Sequence, residues 1–187
     1  MNNVIDRGIL SGRPFGGVAI LVRSTLAKHC RLLCRSERFI IFSSCDGVLI
    51  NVYLPCALVK YYVDDYCDTL ADIFAVLSSC TYQSVVFGGD MNYDFSADGA
   101  VSTLLSNFMS SLELAPTYTH LCSSRHESYG HASLQGSSLI DHFLVSNSLL
   151  DAVHRVEISV SIPRRVFLFP GIREWQFSFP GFPGARE

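Results

Sequence analysis

Short runs of apolar residues along this chain are separated by two stretches whose apolar positions recur at helical spacing. Val18-Ala19-Ile20-Leu21-Val22 is a continuous apolar run and reads as a buried strand. Phe39-Ile40-Ile41-Phe42-Ser43 is a second. After a turn at Gly47, Val48-Leu49-Ile50-Asn51-Val52-Tyr53-Leu54-Pro55 is a third, so residues 39–55 read as a hairpin. Val63, Tyr66, Cys67, Leu70, Ile73, Phe74 and Leu77 then form an unbroken stripe at the helical period. Asp64, Asp65, Asp68 and Asp72 lie off that stripe and read as a solvated face, and acids suit the first half of a helix. A strand at 84–87 follows, then a helix near 101–114 striped by Leu104, Leu105, Phe108, Met109 and Leu112 and closed by Pro116. Residues 140–146 read as another strand, and 153–162 as one more. Strands mixed with helices, joined by hairpins as well as crossovers, imply an α/β sandwich built on a mixed sheet. Residues 1–15 form a polar lead-in. Over 163–187 the pattern breaks, because Pro163, Pro170, Pro180 and Pro183 are interleaved with Phe167, Phe169, Trp175, Phe177, Phe179 and Phe182 without either period. A domain at 1–162 and an irregular tail are expected.

Composition adds limits. The 187 residues are 49% hydrophobic, which gives one domain ample core material. Charged residues make up only 17%, and the net charge of −3 provides no general basic field, so a polyanion would need a local patch or a metal. No apolar run approaches the roughly 18 residues that span a bilayer. Met1-Asn2-Asn3-Val4-Ile5-Asp6-Arg7 lacks the basic and apolar regions of a signal peptide, so an intracellular protein with no membrane partner is expected. Cys30, Cys34, Cys45, Cys56, Cys67, Cys80 and Cys122 are scattered with no C-x-x-C pair. They read as small apolar residues in a reducing compartment, not as zinc ligands or disulfides.

Two polar clusters carry the candidate chemistry. Ser84-Val85-Val86-Phe87-Gly88-Gly89-Asp90-Met91-Asn92 reads as a buried strand that runs into two glycines and then presents a carboxylate and an amide. In extended geometry Asp90 and Asn92 project to the same side, which suits a site handling a phosphate and a water. An Asp/Asn turn closing the strand is the equally weighted alternative. In Ser138-Leu139-Ile140-Asp141-His142 a carboxylate sits inside an apolar strand, where it needs a donor or a cation nearby.

Taken together, these clusters resemble the endonuclease/exonuclease/phosphatase family. Asn51-Val52-Tyr53-Leu54-Pro55 matches the family's N-x-Y-x-P strand. Gly12-Arg13-Pro14-Phe15-Gly16-Gly17-Val18-Ala19-Ile20-Leu21 is similar to the G-R-P-x-G-G-x-A-I-L segment of endonucleases from non-LTR retrotransposons. Pro116-Thr117-Tyr118-Thr119-His120 sits where those proteins carry a P-T-x-T stretch. The resemblance covers residues 10–155. It implies a four-layered α/β sandwich, with two sheets face to face and helices outside. It also implies Mg²⁺-dependent (or Mn²⁺-dependent) cleavage of phosphate esters, DNA as partner, no small-molecule cofactor, and a nuclear location for a working endonuclease. By this resemblance Asp90 orients the attacking water and binds metal, and Asn92 holds the scissile phosphate. Asn51 and Tyr53 line the phosphate site, Asp141 orients a catalytic histidine, and Ser138 and His142 join the phosphate-binding set. Apart from the resemblance, Arg125, His126, His131 and Gln135 in the polar loop read either as nucleic-acid contacts or, equally weighted, as an ordinary exposed loop.

Two features of the family pattern are not found. The family's metal-binding Glu lies upstream of the G-R-P segment, whereas here only Asp6 precedes Gly12 among the acids and the first Glu is Glu37. The closing S-D-H-x-P frame falls on Ser159-Val160-Ser161-Ile162-Pro163, with Val160 and Ser161 in place of Asp and His. Losing one charge-stabilising group costs a factor of about 10² or more in rate. The expectation is a partial retroelement-type endonuclease domain with weak or lost activity. The other readings are a non-catalytic retroelement remnant that binds nucleic acid or protein, and a phosphatase of the same fold.

Overall fold

The computed structural model describes residues 17–22, 24–45, 47–57, 61–95, 98–117 and 140–153. A single helical turn, α1 (Ser24–Ala27), leads into β1 (Arg31–Arg35), β2 (Phe39–Ser43) and β3 (Gly47–Tyr53). Then come α2 (Tyr62–Ser78), β4 (Ser84–Asp90), α3 (Ala100–Ser111), β5 (Leu114–Pro116), β6 (Asp141–Ser146) and a 3₁₀ segment at Asn147–Ala152. The six strands form one mixed sheet in the order β1-β2-β3-β4-β6-β5. Only β3 and β4 run parallel, and α2 supplies the crossover that a parallel pair requires.

The expected hairpin at 39–55 is present, with Phe39 opposite Val52 and Ser43 opposite Val48. Burial along β3 alternates without a break, as a period of two demands, with Val48, Ile50 and Val52 buried. These residues share a face with Phe39, Ile41, Val85, Phe87 and Leu144, and α2 and α3 cover that face with Tyr66, Leu70, Ile73, Leu77, Leu105 and Phe108. The Phe87 and Phe108 rings meet at 5.3 Å between centroids, inside the range aromatic pairs prefer. The opposite face carries a smaller cluster of Val86, Val145 and Val153, against which Leu49 and Phe143 pack. The described residues thus supply one sheet and one helical layer of the expected sandwich.

Several elements differ from the sequence pattern. Residues 18–22 are not a strand, and Leu21 is 97% exposed. Both edges of β3 are already taken by β2 and β4, so this run has no ladder to join there. The strand expected at 84–87 continues to Asp90, because β3 and β6 pair with the glycines on either side. Of the α2 stripe, Cys67 and Phe74 are exposed, since one flat sheet accepts a narrower face of the helix. The four aspartates do face solvent. α3 stops at Ser111, and Glu113, with φ +52°, turns the chain into β5. β1 had no sequence signal: it is an edge strand with Arg at both ends and a register shift between Leu32 and Cys34, features that discourage further pairing. Of the strand expected at 153–162 only Val153 is described. The lead-in over 1–15 and the tail at 163–187 lie outside the described residues. No helix among the described residues is long and apolar enough to cross a membrane.

Ile73 and Phe74 separate the two sides of α2. Ile73→Ala, at a fully buried position, is expected to lower unfolding free energy by about 2–5 kcal/mol. Phe74→Ala, at a position 42% exposed, should cost about 1 kcal/mol or less. Urea midpoints of the two variants at equal m-value check this.

Candidate active site

Register builds the site. Parallel pairing sets Asn51 opposite Gly88 and Tyr53 opposite Asp90. Antiparallel pairing sets Asp90 opposite Asp141. Residues directly opposite one another share a face, so Tyr53, Asp90 and Asp141 form a row across three neighbouring strands. All three are half-buried at one end of the sheet, on the face away from α2 and α3. Asn51 lies one step back on the same face.

The two glycines make this row possible. A Cβ at Gly88 would run into the ring of Phe143, its partner on β6. Gly89 has φ +133°, and a Cβ there would meet the Val52 carbonyl and come within 2.7 Å of the Asn51 side-chain oxygen. Both the backbone conformation and the close approach to β3 therefore exclude a side chain.

Beyond β4 the chain turns sharply. Asn92 adopts the left-handed region at φ +49°, which Asn tolerates better than most residues. Its N–H donates to Asp90 Oδ1 at 2.9 Å, and its side-chain nitrogen donates to the Leu54 carbonyl at 2.7 Å. The Asp/Asn turn weighed as an alternative is therefore present, and Asn92 does not continue the extended geometry beside Asp90. The turn and a phosphate site are compatible, because the same hydrogen bond that closes the turn also fixes the rotation of the carboxylate. Leu54 N–H donates to the Asp90 carbonyl and Met91 N–H to the Ile140 carbonyl, both at 2.8 Å, so the loop is pinned to β3 on one side and to the approach to β6 on the other. Asn51 donates from its amide nitrogen to the Ala19 carbonyl at 2.8 Å, which lays the 17–22 segment across this face.

Tyr66 and Arg38 were not legible as parts of a site. Tyr66 reads as one more apolar position of the α2 stripe, yet its hydroxyl donates to the Met91 carbonyl at 3.1 Å from a fully buried position. Burial pushes this phenol above its ordinary range, and the nearby Tyr93 and Asp90 push it further, so it stays a neutral donor. A lone hydroxyl in an aliphatic stripe was the available signal, since a buried Tyr normally finds a partner for it. Arg38 places its guanidinium carbon 5.5 Å from the centre of the Tyr53 ring. No periodicity marks it.

His142 departs from its expected role in phosphate binding. It pairs with Gly89 on the helix-covered face and is 2% exposed. Its Nε2 lies 2.8 Å from the Tyr93 carbonyl, so that nitrogen carries the hydrogen, and Phe95 packs edge-on at 4.3 Å between centroids. Strand alternation puts it opposite in direction to Asp141, and it serves the packing beneath the site. Ser138, Arg125, His126, His131, Gln135, Val160 and Ser161 lie outside the described residues.

The donor chemistry of the row suits a hard cation. Two carboxylates as direct cross-strand neighbours are unfavourable unless donors or a cation offset their charge. Mg²⁺ needs only one or two protein carboxylates and otherwise keeps its waters. Among the described residues no group of three or more His, Cys, Asp or Glu gathers, and Asp90 and Asp141 are direct cross-strand neighbours in the row.

Residues 6–163 match the family model described as Endonuclease/Exonuclease/phosphatase family. No curated protein matches the chain by sequence. Among solved structures, an AP endonuclease from Archaeoglobus fulgidus is similar with a TM-score of 0.54 at 12% identity, over 67% of this chain and 58% of that one. A 3′ phosphatase, NExo, from Neisseria, bound to a product DNA hairpin, gives 0.56 at 15% identity over 75% and 65%. The endonuclease domain of TRAS1, a telomere-specific non-LTR retrotransposon, gives 0.48 at 14% identity over 66% and 57%. At these identities the likeness to the first two is one of fold, and the chain spans less than two thirds of the length of each of the three structures.

The support under the Asp90 loop is testable by stability. Tyr66→Phe keeps the ring and removes the bond to Met91, for an expected loss of about 1 kcal/mol. Gly89→Ala adds a clash with the β3 backbone and should cost more, about 2–4 kcal/mol. Denaturant titration of the two variants beside the wild type gives both values, and an unperturbed Gly89→Ala would show that β3 and β4 do not approach as described.

Proposed function

Because the chain belongs to the endonuclease/exonuclease/phosphatase family, whose members are hydrolytic nucleases or phosphatases, we propose that it is a divalent-metal-dependent phosphodiesterase acting on DNA, of the retroelement endonuclease type and of low activity. The observation that carries this reading is the row of Tyr53, Asp90 and Asp141 on one face, with Asn92 turned back onto Asp90. In this reading Asp90 orients the attacking water, and the N–H of Asn92 prevents the carboxylate from rotating away. The Tyr53 hydroxyl and the Asn51 and Asn92 amides bound the space for the scissile phosphate. Asp90 and Asp141 would hold the cation, which when bound supplies positive charge against the charge that builds on the phosphate oxygens and the leaving group. DNA is favoured as substrate by the similarity in fold to an AP endonuclease and to a 3′ phosphatase bound to a product DNA hairpin, and by the Gly12–Leu21 resemblance to retroelement endonucleases.

Low activity follows from Val160 and Ser161, which stand where the family carries its Asp and His. A second reading, a domain that binds nucleic acid without cleaving it, is favoured by the same two residues.

Nicking of supercoiled plasmid separates the two. Slow relaxation that requires Mg²⁺ and falls by about 10²-fold or more in Asp90→Asn is expected. Folded protein that binds DNA but neither nicks it nor releases phosphate establishes the binding-only reading. Nicking that survives Asp90→Asn removes the site from the proposal. Release of inorganic phosphate from a 3′-phosphorylated oligonucleotide, without nicking, would move the assignment to a phosphatase.

A further inference from the structure

The row of side chains at the site begins one strand earlier than β3. Arg38 immediately precedes β2, and the β2–β3 pairing, with Phe39 opposite Val52, continues to set it opposite Tyr53. The N–H of Tyr53 donates to the Arg38 carbonyl at 2.8 Å, and the N–H of Arg38 donates to Ser36 Oγ at 3.0 Å. With its backbone held at both groups, Arg38 lays its guanidinium over the Tyr53 ring, 5.5 Å from the centroid. Among the described residues that ring is the guanidinium's partner. Arg35 pairs with Ile40 across β1 and β2, so it is on the same face, and it is exposed. Successive strands therefore present a cation, an aromatic platform, a carboxylate and a second carboxylate.

This placement is chemically selective. With a net charge of −3, the chain has no general field to draw in a polyanion, so a cation at one end of the row, separated from Asp90 by one strand, has a local purpose. A guanidinium is weakly hydrated, stacks on aromatic faces and presents forked donors that match phosphate oxygens. The contact with the face of Tyr53 fixes the head group 5.5 Å from the ring centre. We propose that Arg38, carried on the Tyr53 ring, is a substrate-binding residue that contacts the DNA backbone beside the phosphate held at Asp90. The proposal rests on the nuclease reading above and adds to it a cationic contact for the DNA backbone at the Tyr53 end of the row.

The test uses the full chain and a short labelled DNA duplex in Mg²⁺-free buffer, with affinity measured across a series of salt concentrations. Arg38→Gln is expected to weaken binding roughly tenfold at low salt and to reduce the slope of log K against log salt by about 1. Arg38→Lys keeps the charge and should restore the slope while recovering only part of the affinity, a split that a purely structural contact with Tyr53 would not produce. As a measurement independent of any variant's folding, arginine-specific modification of the wild type by phenylglyoxal, read by mass spectrometry, should be blocked at Arg38 by the duplex. An unchanged slope in folded Arg38→Gln, or no protection of Arg38 under saturating DNA, overturns the proposal and leaves the role of Asp90 standing. Folded wild-type protein that binds no DNA at low salt overturns the DNA reading and this proposal together.

Discussion

The parallel pairing of β3 with β4 is the constraint on which the rest depends. It alone sets Tyr53 beside Asp90, and it holds only because residue 89 has no side chain to drive the strands apart. A slip of one residue would turn Asp90 into the helix-covered core and bring Gly89 to the open face. Such a slip is opposed on both flanks. On one, the β2–β3 hairpin fixes the alternation of Val48, Ile50 and Val52 into the core. On the other, β6 pairs with β4 from Val86 to Asp90 and settles Phe143 over the bare backbone of Gly88. The glycines weaken the strand in isolation, and pairing on both edges restores its order.

This arrangement divides the sheet by face. One side buries aliphatic and aromatic residues under α2 and α3 and supplies most of the stability. The other carries the polar row. His142 and Asp141 are neighbours in sequence, and the strand period sends one into packing beneath Tyr93 and Phe95 and the other to the site. The two faces are linked where the Tyr66 hydroxyl reaches from α2 to the carbonyl of Met91, between Asp90 and Asn92. A buried neutral phenol is suited to that post, since a charged group there would repel or neutralise the carboxylate next to it.

The polar residues are restrained before any ligand arrives. Asn92 is tied to Asp90 and to Leu54, Asn51 to Ala19, and Arg38 to Ser36 and Tyr53. Groups already aligned need little reorganisation when charge develops nearby, which is where electrostatic sites of this kind gain their effect. The same bonds limit what the amides can still offer to a phosphate. In the proposed site Asn51 and Asn92 would act as much through the backbone they position as through direct contact.

Local patterns decided what depends on local physics. Short apolar runs marked the hairpin, β4 and β6, and the period of 3.6 marked both long helices, because each element buries apolar residues close together in sequence. Gly-Gly-Asp-Met-Asn could be recognised because close approach at both glycines and a positive φ at Gly89 leave glycine little competition, while N-x-Y-x-P and the Ile-Asp-His strand were recognised by family resemblance. Edge strand β1 was silent because its pairing is one-sided and its side chains are mostly exposed. Residues 18–22 misled because an apolar run becomes a strand only if a neighbouring edge is open, and none was at β3. Which residues meet at the site was decided by tertiary structure. Register across β2, β3, β4 and β6 sets Arg38, Tyr53, Asp90 and Asp141 in one row, and it removes His142 to the other face. No spacing along the chain encodes that row, because its members are brought together by hydrogen bonds between strands far apart in sequence.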